Sequence, residues 1–485
     1  MSFNMRHTGK HALNLHRLGV FGNRLRLQAR RGIASEIKEA GKETLVVLGA
    51  GWAGYQFISK VDKSKYKIVS ISGSTTFVTT PLLPSAATGA LSFRDIVEPL
   101  RSTNDVNYYH AWAEDVDFKN KVITAIPAAK PIFRGKDPLV KQQQRDARAE
   151  TVAEATTEYQ IKYDKLVIAT GCYNQTFDTP GVKENAYFLR DIESAAAIRY
   201  HIYEMLDSAT WPDLSDTLRQ ALLTWVIVGG GPTGSELAAE MHDLARSKEF
   251  NKLYPTLAPQ IKIKLLDAAP AILTNYDKAL SKYAAKKLKR DGIEVLTSRK
   301  VLRVEPDKIV TEQDGEIPAG LVVWSTGNKA SPLNETLESL QRDKKKSFVV
   351  TEELQVLNRP TVEGQRGEVV PDVWAMGDCA QIDGHPLPAT AQVANQEGVF
   401  LADLLSGRIS YPAKKSFKYV HRGTMTNIGG GEGLVEAPFA NLRGRMAYIA
   451  WRGYYWISSL SWRNKFNLAF RWTQNAIIGR DISRI

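Results

Sequence analysis

The feature that most constrains this chain is a glycine turn that occurs twice. "LVVLGAGWAG", from Leu45, and "VIVGGGPTGS", from Val226, each run an apolar strand into glycines spaced G-x-G-x-x-G and then into a helix of small residues. The glycines are Gly49, Gly51 and Gly54 in the first, and Gly229, Gly231 and Gly234 in the second. In such a set the first glycine permits a tight turn and the second lets a pyrophosphate approach the backbone. The third lets helix pack closely on strand, and the helix N-terminus favours phosphate charge. One such turn is a weak signal; two predict an α/β chain with two Rossmann-like dinucleotide-binding domains.

Three further strand-and-turn segments give the domains an order. "YDKLVIATG" ends in Thr170 and Gly171, "LVVWSTG" ends in Gly327, and "PDVWAMGDCA" places Gly377 and Asp378 after a strand. A carboxylate beside a tight turn suits the ribityl or phosphate end of a flavin, so the first turn, with Thr170, Gly171, Gly377 and Asp378, is expected to hold FAD. The second turn, with Gly327, is expected to hold NADH. The strand "IKIKLLD" ends in Asp267, which would accept from adenosine ribose hydroxyls and repel a 2′-phosphate, favouring NADH over NADPH. The corresponding strand of the first turn, "YKIVSISGS", has Ser70 and Ser72 where that acid is expected. The expected division is an FAD domain over 43–188 and 351–415, an NADH domain over 189–350, and a C-terminal segment over 416–485.

Charge sits at the ends. Residues 1–35 hold seven Lys/Arg and no acid, and residues 437–485 hold eight Lys/Arg and one acid. Together these ends exceed the whole formal net charge of +12, leaving the body slightly acidic. This is not the footprint of a nucleic-acid groove. The first 35 residues alternate Leu13, Leu15, Leu18, Phe21 and Leu25 with Arg17, Arg24 and Arg26, as a mitochondrial transit peptide does. Between Ala437 and Arg480 there is no Asp or Glu, and Trp451, Trp456, Trp462 and Trp472 mix with Arg445, Arg452, Arg463, Lys465 and Arg471. Those cations make spanning a bilayer costly and suit a helix pair lying at its surface. Cys172 and Cys379 are the only cysteines, which disfavours a zinc site, an iron–sulfur cluster or a redox dithiol; no metal is expected.

"TTPLLPSAATGALSFRDIVEPLR", "QTFDTPGVKENAYFLRDIESAAAIR" and "ATAQVANQEGVFLADLL" complete the pattern. With the two turns they resemble the type II (alternative, rotenone-insensitive) NADH dehydrogenases of fungal and plant mitochondria, from about Glu43 to Ile485. The third stretch resembles that family's quinone motif and is the most specific of them. The resemblance implies a disulfide-reductase-like flavoprotein fold. It implies a relay without proton pumping, hydride passing from NADH to FAD and two electrons passing on to ubiquinone. It assigns Ala391, Gln392, Ala394 and Gln396 to the quinone, with Gln392 facing it, and Glu236 to the nicotinamide side. It implies a peripheral enzyme of the mitochondrial inner membrane, docked through its C-terminal segment and expected as a homodimer. The matrix face is expected because no stop-transfer segment follows the presequence. The chain departs from the family at Phe400, where a tyrosine is usual, at Gly73-Ser74, where Pro-Arg is usual, and at Thr79, where an aromatic is common. No EF-hand loop is present, so calcium control is not expected. An apoptosis-inducing-factor-like quinone reductase is the alternative enzyme, and a sensor that binds both nucleotides without turnover is the alternative outside enzymes.

Overall fold

The structure, a computed structural model, describes residues 41–128, 158–362, 364–410 and 416–482. The expected transit peptide lies outside the described residues.

Each glycine turn leaves a strand at the middle of its own sheet. In the first sheet Glu43–Leu48 pairs in parallel with Tyr66–Ser72 on one side and Lys165–Ile168 on the other. Val369–Ala375 adds in parallel beyond Lys165–Ile168, within a ten-stranded sheet. In the second, five-stranded sheet Thr224–Val228 lies in parallel between Leu321–Trp324 and Lys262–Leu266. Central parallel strands are covered on both faces and read as unbroken apolar runs; Leu45 to Leu48 and Trp225 to Val228 are accordingly buried. A strand flanked this way marks the point where connections depart in opposite directions, which opens a crevice at its C-terminal end. "YDKLVIATG" and "LVVWSTG" thus end beside the two glycine turns.

The crossovers come slightly earlier than the sequence reading placed them. Tyr187–Phe188 pairs with Leu321–Trp324 in the five-stranded sheet, although it precedes the expected boundary at 188/189. Phe348–Val350 belongs to the ten-stranded sheet, before the expected boundary at 350/351. Leu333, Leu337 and Leu340 are already buried in the first domain's core.

The C-terminal segment forms a three-stranded antiparallel sheet of Thr424–Asn427, Gly433–Ala437 and Ala440–Gly444, followed by helices Arg445–Ser458 and Trp462–Ile477. Ser461 caps the second of these, accepting from Asn464 N. Trp451 and Leu468 point inward and join the second domain's core together with Ile428 and Leu434. Leu82, Leu83 and Ile96 enter that core too, so the last two helices, the stretch that holds these residues and the second sheet share one apolar interior. Among the described residues no helix is long and apolar enough to cross a membrane.

Candidate functional site

The two turns are near copies in geometry. Gly49 and Gly229 take φ of +94° and +112°, where side chains are strained. A Cβ on Gly49 would also lie 2.3 Å from Ala169 O, and one on Gly229 would lie 2.4 Å from Ser325 O. "ATG" and "STG" therefore floor their turns through the backbone just before Thr170 and Thr326. Gly54 and Gly234 pack on Gly49 O and Gly229 O, which seats each helix on its strand. Gly51 and Gly231 differ: a Cβ on either would meet nothing within 4 Å. Each is the N-cap of its helix with no side-chain cap, which leaves the helix N-terminus uncapped by side chains and leaves room for a pyrophosphate to approach the backbone. Both sites fit a dinucleotide.

Asp267 stands at the rim of the second turn. Its carboxylate accepts from Gly230 N and, at 2.6 Å, from Ala269 N, which holds it at the end of its strand. Gly171, Gly327 and Gly377 all take positive φ. Asp378 follows Gly377 in a short turn, and its Oδ2 accepts from the Cys172 thiol at 3.2 Å. Burial raises the Asp378 pKa, while the thiol opposes this in part.

The helix Ala391–Leu405 meets the first turn. Thr390 caps it by accepting from Val393 N. Ala394 is buried, and a Cβ on Gly377 would lie 3.6 Å from it and 3.2 Å from Ala53. A Cβ on Gly398 would lie 2.6 Å from Ala53 O. The small residues of this helix thus bring it against the helix Trp52–Lys60, with Ala391 half-buried at the start. Gln392 and Gln396 share a face as expected, but their amides hold backbone of the 419–423 stretch. Gln392 Oε1 accepts from Tyr419 OH and Arg422 N, both at 2.8 Å, and Nε2 donates to Gly423 O. Gln396 brackets Val420 through both its O and its N–H.

Glu236 lies one turn into the helix Pro232–Arg246 and is buried. It accepts from Asn427 N at 2.8 Å, so its carboxyl faces the C-terminal sheet. Burial pushes its pKa up to about 8. Sequence reasoning missed Glu397 and Glu240. Glu397 accepts from Gly377 N at 2.6 Å, and burial pushes it up to about 8; an acid in the otherwise uncharged stretch "ATAQVANQEGVFLA" was the available signal. Glu240, four residues after Glu236, is buried and bound by Arg480, Ser85 and Asn427. Two acids on one helix face signal a cation from elsewhere in the chain.

Paired dinucleotide turns, each with its own floor loop, and a buried acid-bearing turn beside the first define a two-dinucleotide flavoprotein oxidoreductase. The sequence profile described as "Pyridine nucleotide-disulphide oxidoreductase" matches residues 43–398, and the profile "NDH2 C-terminal domain" matches residues 421–481. The external NADH-ubiquinone oxidoreductase 2 of Saccharomyces cerevisiae is 32% identical, covering 91% of this chain and 82% of that protein. The internal alternative NAD(P)H-ubiquinone oxidoreductase A1 of Solanum tuberosum is 33% identical, covering 92% and 89%. A solved structure of NDH2 from Plasmodium falciparum in complex with NADH overlays with a TM-score of 0.79 at 23% identity, covering 91% of this chain and all of that one, and shares the fold. The chain belongs to the type II NADH dehydrogenases, whose cofactors are FAD and NADH.

Proposed function

We propose that FAD lies on the Gly49–Gly54 turn and NADH on the Gly229–Gly234 turn of a non-proton-pumping NADH:ubiquinone oxidoreductase. The family and its named relatives favour this reaction over the apoptosis-inducing-factor-like alternative. Bound FAD supplies the chemistry, accepting hydride from NADH and passing two electrons to ubiquinone. The residues supply position and charge. Gly51 and Gly231 admit the two pyrophosphates, Asp267 meets the NADH ribose, and Gly377 and Asp378 meet the ribityl end of FAD. Glu397 holds the Gly377 turn through its N–H. Glu236 keeps a proton on its carboxyl through the neutral range. The helix Ala391–Leu405 sets Gln392 and Gln396 against the 419–423 stretch, and this pairing forms the quinone-side wall.

The exposed faces of the last two helices support docking on the mitochondrial inner membrane. Met446, Ile449, Ile457, Trp462, Phe466 and Phe470 are 62–71% exposed and form an apolar surface that no described residue covers. The cations divide differently from the sequence expectation. Arg463 and Arg471 pair with Glu98 and Asp95, and Arg452 lies over the Tyr448 and Trp472 rings. Lys465 lies over the Trp456 and Trp462 rings at the exposed side, where an anionic headgroup would meet it. Peripheral placement on the matrix face, as a homodimer, completes the reading.

The open space at Gly51 and Gly231 supports a dinucleotide on each turn, and the Gly377–Asp378 turn beside the first and Asp267 beside the second support the order. Gly51→Val should yield protein without the yellow flavin spectrum, whereas Gly231→Val should keep flavin and raise the KM for NADH. The reverse pattern overturns the order of the two domains.

A further inference from the structure

The strand Tyr66–Ser72 ends where a dinucleotide fold of this kind places the acid that holds the adenosine ribose. This chain has Ser72, Gly73 and Ser74 there and no carboxylate in the stretch. What stands beside it is aromatic. The neighbouring parallel strand, Val106–Asp117, pairs His110 with Ser72, and alternation along it puts Tyr108, His110 and Trp112 on one face. Tyr108 OH donates to Ser72 O at 3.2 Å and to Ser74 O, and His110 Nε2 bonds Gly73 O at 3.0 Å. The turn is thereby pinned to that strand. A Cβ on Gly73 would fall 2.2 Å from the Trp112 ring, so glycine at 73 is what lets the indole lie against the strand end. The same packing leaves Trp112 47% exposed. A large ring is held in place on one side and left open on the other, at the adenosine end of the first turn.

We propose that Trp112 is the stacking platform for the adenine ring of FAD, anchoring the end of the cofactor that lacks a ribose-binding carboxylate. The inference rests on the assignment of the first turn to FAD. It makes Trp112 a positioning residue: it holds the adenosine, and the reacting ring lies at the other end of the cofactor. Any adenine dinucleotide presents the same π-face; the first turn and the Gly377–Asp378 turn select the flavin.

Flavin release from the purified full-length holoenzyme, followed by flavin fluorescence after dilution, tests this. Removing a ring on which a base stacks weakens binding by about ten- to a hundredfold. Trp112→Ala should raise the Kd for FAD by that factor, and Trp112→Phe should fall between the two. With FMN exchanged into the site, the same variants should bind as the parent does, because FMN has no adenosine. An unchanged FAD Kd in Trp112→Ala, or an equal loss for FMN, overturns the proposal. Should Trp112→Ala fail to fold, Trp112→Phe carries the comparison alone. Gly51→Val in the same assay separates the two claims: if it keeps its flavin, the assignment of the turn fails and not merely the platform.

Discussion

Arg480 follows the helix Trp462–Ile477, yet its guanidinium reaches back to Thr88, Glu240 and Asp243. Nη1 donates to Glu240 Oε2 at 2.6 Å and to Thr88 Oγ1 at 3.3 Å, and Nη2 lies 3.5 Å from Asp243. The side chains of Arg480 and Glu240 are only 16% and 6% exposed. Breaking a buried pair by removing one partner costs about 3–5 kcal/mol, because the remaining charge stays buried without its counterion. Arg480→Met should therefore loosen the tail by that amount. Amide exchange is the suitable assay, since large flavoproteins unfold irreversibly and local opening is measured in the native state. Asp481 N donates to Gly89 O, and Gly430 N donates to Asp243; exchange at both should rise between about a hundredfold and a few thousandfold. Arg480→Met combined with Glu240→Gln should recover part of the protection, because the buried Glu240 charge is gone while the more exposed Asp243 still lacks the guanidinium. Unchanged exchange in the single variant, or no recovery in the double one, refutes the reasoning.

Asp267→Ser should reduce the preference for NADH, read as the ratio of kcat/KM values for NADH and NADPH; an unchanged ratio removes Asp267 from the role. Gln392→Leu loses the acceptor for Tyr419 OH and Arg422 N, and should slow reoxidation by ubiquinone analogues while NADH-driven bleaching continues; equal loss of both half-reactions would mark the residue as structural. Burial raises Glu236 from 4.5 to about 8, so across that window the folded protein holds a proton that the unfolded chain has released. Its contribution to stability is full below about 4.5, falls as pH rises, and levels off above about 8. Glu236→Gln should flatten this share of the pH profile in thermal inactivation, gaining on the parent as pH rises; parallel profiles contradict it.

Much of the site was legible because it depends on backbone. Glycines at 49, 51 and 54 and at 229, 231 and 234 report local geometry directly, and "ATG" and "STG" announce the loops beneath them. Side-chain partners set by distant segments were not legible. The amides of Gln392 and Gln396 share a helix face by spacing alone, but nothing local shows that backbone 419–423 would come to lie on them. Arg463 and Arg471 read as lipid-facing cations in a segment free of acids, and their partners Asp95 and Glu98 lie far away in sequence. The domain boundaries slipped for a similar reason. Tyr187–Phe188 is too short to show a period, and only its pairing with Leu321–Trp324 reveals which sheet it joins.

Stopped-flow mixing of NADH with the purified flavoprotein tests the central claim most directly. The account predicts rapid bleaching of the oxidised flavin spectrum, followed by its full return when a soluble ubiquinone analogue is added. Bleaching without reoxidation by quinone, as a nucleotide sensor would show, contradicts it.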